Sequence, residues 1–85
     1  MPVISRFSGI VISLYHNDHG VPHFHARCGG QRASVEIRTG LVRGNLTPTV
    51  KRRVLEWLSL RRPELLDNWE RAKRRQPLLS VSPME

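Results

Sequence analysis

Gly29-Gly30 stands between two stretches in which side-chain character alternates residue by residue. Two-residue hairpin turns of the primed types need positive φ at one or both central positions, and glycine adopts it without steric cost. The pair therefore predicts a β-hairpin. A two-residue turn then fixes the register by arithmetic: Cys28 faces Gln31, Arg27 faces Arg32, Ala26 faces Ala33, His25 faces Ser34, Phe24 faces Val35 and His23 faces Glu36. Apolar meets apolar and polar meets polar in every pair but the first, and a slip of one residue would turn every side chain to the other face. One face of the hairpin is expected to send Phe24, Ala26, Ala33, Val35 and Ile37 into a core. The other is expected to carry His23, His25, Arg27, Arg32, Ser34, Glu36 and Arg38.

The rest of the chain is placed around that hairpin. Ile10, Ile12 and Leu14 alternate with Val11, Ser13 and Tyr15, the period of two that marks a half-buried strand over residues 10–15. Residues 16–22 hold Asn, Asp, Gly and Pro and read as a loop. The strand after the Gly-Gly turn is expected to run over 31–38, and residues 39–46, with two glycines, read as a connection. Thr47-Pro48 is a helix start, with Thr as the cap and Pro at the first helical position. Val50, Val54, Trp57 and Leu58 follow at helical spacing, until Pro63 pushes Arg62 out of the helical region and predicts a break. A second helix over 63–75 carries Leu65, Leu66, Trp69 and Ala72, and residues 78–81 read as either a closing strand or a tail. The expected fold is α+β: a three-stranded antiparallel sheet, four-stranded if a terminus adds a strand, with two helices packed on one face. A single domain spans 1–79, with 80–85 as a C-terminal tail.

A chain of 85 residues supports one modest core. No apolar run approaches the roughly 20 residues of a membrane-spanning helix, and no stretch has the order of a secretory signal. The single Cys28 suits a reducing compartment, so a cytoplasmic location is expected. Lys and Arg outnumber Asp and Glu by 14 to 7, a net charge of +7 that favours phosphates or an acidic partner. Part of this excess has a local explanation. Glu64 and Asp67 lie early in the predicted second helix and Arg71, Lys73, Arg74 and Arg75 late, the polarity that complements a helix dipole.

All four histidines fall within His16-Asn17-Asp18-His19-Gly20-Val21-Pro22-His23-Phe24-His25. The run Ile4-Ser5-Arg6-Phe7, then Gly9-Ile10-Val11-Ile12, Tyr15, Asp18-His19 and Pro22-His23-Phe24-His25-Ala26 resembles the opening of the short bacterial proteins of domain of unknown function family 4160. Thr39-Gly40, Val54-Leu55-Glu56-Trp57-Leu58 and Asn68-Trp69 are similar to that family's helical half, so the resemblance covers about residues 2–79. It implies no established activity. It does imply a small protein encoded beside a cognate partner, as a component of a toxin-antitoxin type module.

Three readings of the histidine stretch stay open. In the first, Asp18, His19, His23 and His25 supply nitrogen and oxygen ligands to zinc or another divalent metal. The second makes His23 or His25 a proton carrier, Glu36 the group that orients His23, and Arg27, Arg32 and Arg38 the anion-binding residues, an arrangement suited to metal-independent RNA cleavage. In the third, Asp18 and His19 bond loop backbone, while His23 and His25 stand on a face that is solvated or covered by a partner. Trp57 and Trp69 belong to the core. The functional expectation is thus a toxin-antitoxin type component acting through RNA, DNA or a partner protein. A metal-binding enzyme or metal-stabilised domain, and a non-catalytic interaction module, are the alternatives; a homodimer would also cover the open face.

Overall fold

Five antiparallel strands and one helix form the computed structural model, which describes residues 2–16 and 19–84. In chain order they are β1 (Val3–Phe7), β2 (Ile10–Ser13), β3 (His23–Cys28), β4 (Gln31–Glu36), β5 (Val42–Asn45) and α1 (Pro48–Lys73). Each strand pairs with its neighbour in sequence, so the sheet order is β1-β2-β3-β4-β5. The β3-β4 register is the one that the Gly-Gly turn predicts, from Cys28 opposite Gln31 to His23 opposite Glu36. Gly29 has a φ of +59° while Gly30 lies outside the left-handed region, the pattern of a type II′ turn.

The sheet has five strands rather than three or four: β1 is the strand that a terminus could add, β5 is unexpected, and each has a local cause. β1 joins β2 through Ser8 and Gly9, whose φ values of 52° and 75° are both positive, as a type I′ turn requires. A serine in that role is an uncommon signal. β5 lies inside the stretch predicted to be a connection, because its Gly44 reads as a breaker. In fact Gly44 permits a close approach: a Cβ there would lie 2.4 Å from the Arg32 carbonyl oxygen and 2.7 Å from the Ala33 Cα. Two strands are shorter than expected. β2 ends at Ser13 and β4 at Glu36, so residues 37–39 form a turn and Arg38 leaves the sheet.

One helix replaces the expected two. α1 runs for 26 residues through Pro63, which removes an N–H from the helix ladder and crowds the preceding turn. That cost is borne because the apolar stripe is continuous across it. Val54, Trp57 and Leu58 before the proline and Leu65, Trp69 and Ala72 after it are all buried. Arg62, the residue whose backbone proline disfavours, is also anchored, its Nε donating to the Ile37 carbonyl at 2.8 Å. At the start, the Thr47 hydroxyl accepts from the Val50 N–H at 3.4 Å, as predicted for a cap.

The helix covers one face of the sheet. Trp57 is fully buried there, with ring centroids 5.3 Å from Phe7 and 5.6 Å from Phe24. Residues 78–82 form no strand, yet they are fixed. Asn68 donates to the Leu79 carbonyl at 2.8 Å and accepts from the Leu79 N–H at 2.9 Å, and Trp57 Nε1 donates to the Ser82 carbonyl at 2.8 Å. Val81 is buried, and its N–H reaches the Ile4 carbonyl on β1 at 2.8 Å. Among the described residues, no helix is long and apolar enough to cross a membrane.

Candidate functional site

The uncovered face of the sheet follows from the pairing. Because side chains alternate along each strand, the registers place Arg6, Val11, Arg27, Arg32 and Asn45 in one row across the five strands. The next row runs Ser13, His25, Ser34 and Arg43 across β2 to β5. His23 and Glu36 begin a third. The hairpin arithmetic thus set the centre of this surface, and the flanking strands complete it.

A concavity of about 360 Å³ opens in that face. Ser13, His25, Ser34 and Arg43 line it from one row and Val11, Arg27 and Arg32 from the next, with Tyr15 beyond Ser13. Arg27 and Arg32 are direct cross-strand partners. Like charges so placed repel, and among the described residues neither forms an ion pair. Arg43 differs, since its Nη2 lies 3.7 Å from Glu36 Oε2, and the same carboxylate accepts from the Thr39 hydroxyl at 2.8 Å. Glu36 therefore steers Arg43 while offsetting part of its charge.

Aromatic rings fix the histidines. The His25 ring meets Tyr15 edge-on with centroids 4.6 Å apart and His23 at 5.2 Å, and His23 in turn lies 5.1 Å from Trp69 of α1. His23 Nδ1 donates to the Val21 carbonyl at 2.8 Å. A second concavity of about 270 Å³, lined by His19, Gly20, Val21, His23, Ser34, Glu36 and Arg43, adjoins the first through Ser34 and Arg43. His16 is employed elsewhere, its Nε2 donating to the Gln76 carbonyl at 3.2 Å just beyond α1.

The structure thus brings His25, Arg27 and Arg32 into one concavity and His19, His23 and Glu36 into its neighbour. Arg38, expected to bind anions with Arg27 and Arg32, is exposed in the 37–39 turn and lines neither concavity. Asp18, expected among the metal ligands, lies outside the described residues. Among the described residues there is no group of three or more His, Cys, Asp or Glu side chains that could hold a metal ion. Sequence reasoning did not include Arg43, Ser13 or Tyr15 in the site. The outward positions of the 10–15 alternation carried a signal for the last two, whereas Arg43 was hidden by the reading of its strand as a connection.

Residues 9–70 match the model of a family described as Domain of unknown function (DUF4160). The match spans β2 through most of α1, and so includes every residue that lines the two concavities. No curated protein and no solved structure matches the chain.

Proposed function

Since the chain belongs to the family described as Domain of unknown function (DUF4160), we propose a function from its own geometry: the open sheet face binds the phosphate backbone of single-stranded nucleic acid. This is the chemistry that a toxin-antitoxin type component acting through nucleic acid would use. The observation that carries the reading is the pairing of Arg27 with Arg32 in the lining of a concavity that Arg43 also lines. Guanidinium groups match phosphate oxygens with a planar fork of donors, and an anion between them turns a repulsive pair into an attractive set. Tyr15 offers an aromatic ring at the same site. A ring of that kind suits the exposed bases of a single strand rather than the interior of a duplex.

The test is fluorescence anisotropy of labelled single-stranded RNA and DNA at low salt. Joint replacement Arg27→Ala/Arg32→Ala should weaken binding by about tenfold or more, since charge-assisted hydrogen bonds are each worth roughly 1.5–3 kcal/mol. The same charge removed by Arg74→Ala/Arg75→Ala at the end of α1 should leave most of the affinity. An unmodified protein that binds neither nucleic acid at low salt overturns the reading.

A further inference from the structure

Resting on that reading, we infer that the concavity also cleaves the single-stranded RNA it holds, with His25 accepting the proton of a ribose 2′-hydroxyl. His25 occupies the row beside the Arg27 and Arg32 pair, on the same strand face as Arg27 and two residues away. At about 3.3 Å per residue, that spacing sets the two side chains roughly 7 Å apart at their origins. A phosphate gripped by the guanidinium groups therefore presents its neighbouring ribose to the imidazole. The imidazole is also held in place by edge-on contacts with the rings of Tyr15 and His23. Ser13 and Ser34, its cross-strand partners on β2 and β4, flank it with hydroxyls inside the same concavity.

The reaction is an internal transesterification. His25 takes the proton of the 2′-hydroxyl, and the 2′-oxygen forms a bond to the adjacent phosphorus. The bond between phosphorus and the 5′-oxygen breaks with its electron pair on that oxygen, which is protonated by solvent, and His25 returns its proton to solvent. The products are a 2′,3′-cyclic phosphate and a 5′-hydroxyl. Atoms and electrons balance with no oxidant, reductant or further reactant. Arg27, Arg32 and Arg43 face the charge that grows on the phosphoryl oxygens in the transition state, where fixed donors contribute most. DNA lacks the nucleophile. A paired strand holds its sugars in the regular geometry of the A-form helix, whereas an unstacked strand can swing the 2′-oxygen into line with the departing oxygen.

A pool of random-sequence single-stranded RNA and its all-2′-deoxy counterpart, each incubated with the full chain in the presence of EDTA, tests the inference. The RNA should be cut to fragments ending in 2′,3′-cyclic phosphate, while the deoxy pool is bound and left intact. His25→Ala, assayed at saturating protein, should lower the cleavage rate by about 10²-fold or more, the usual contribution of a positioned proton acceptor. His25→Gln, which preserves more of the side-chain volume, should lose cleavage to the same degree, so a folding defect in the alanine variant leaves the test intact. RNA that is bound but not cut, cleavage that disappears with EDTA, or a folded His25→Gln variant that cuts at the original rate each overturn the inference while leaving phosphate binding in place. Absence of binding to either pool overturns both readings.

Discussion

Phe24 and His25 are adjacent in β3 and point to opposite sides of the sheet, so they separate stability from the proposed function at a distance of one residue. Phe24 is fully buried against Trp57, and Phe24→Ala should cost about 3–5 kcal/mol through lost burial and the cavity it leaves. His25 is only partly buried, and its ring contacts with Tyr15 and His23 are among the interactions its removal would lose. Its replacement by alanine should cost less than the Phe24 change, on the order of 1–2 kcal/mol. Urea denaturation followed by tryptophan fluorescence checks both, and equal losses would make His25 a packing residue. Asn68 poses a different case, because it is 1% exposed and both ends of its amide serve Leu79. Asn68→Ala leaves a backbone N–H and a backbone C=O without their partners, each worth about 1–3 kcal/mol if it stays buried. The expected result is a lowered urea midpoint and faster proteolysis within residues 78–82.

The elements differ in how much of their structure local residues announce. The β3-β4 hairpin was legible to the residue, since a Gly-Gly turn and a buried face both constrain one register and agree. β1 and β5 were less so. Ser8 takes a positive φ that serine seldom signals, and Gly44 is needed for a close backbone contact that exists only once β4 lies beside it. Pro63 is the opposite case. Its local preference was read correctly as a helix breaker, but burial of the stripe from Val54 to Ala72 against the sheet outweighs it. Gly44→Ala tests the account of β5. The new Cβ would meet backbone atoms of Arg32 and Ala33, which cannot rotate aside as a side chain would. A loss of about 1–3 kcal/mol is expected, as for other overpacked sites. Oligonucleotide binding should weaken as well, because β5 carries Arg43 into the concavity. Unchanged stability and affinity would show that β5 moves without consequence.

At the scale of the whole molecule, the question is whether the net charge of +7 acts diffusely or through one surface. The half of the site on the hairpin was legible because a single register relation placed Arg27 beside Arg32. Ser13, Tyr15 and Arg43 converge on it only through the order of the sheet, which no local pattern states. Two of the four basic residues at the end of α1 have acidic neighbours: Arg71 Nε donates to Asp67 at 2.9 Å and Lys73 lies 3.5 Å from Glu70. Salt dependence distinguishes the two cases. Each phosphate neutralised on a single strand releases counterions and adds about −0.7 to the slope of log K against log salt concentration. If Arg6, Arg27, Arg32 and Arg43 together engage three or four phosphates, the slope should be about −2 to −3. Replacing Arg27 and Arg32 with alanine should then flatten it by roughly 1.4 if each meets its own phosphate, or by about half that if both grip one. Removing Arg74 and Arg75 should leave it nearly unchanged. A slope that flattens equally with either pair would mean that the charge acts as a diffuse cloud, and the open face would have no privileged part in holding nucleic acid.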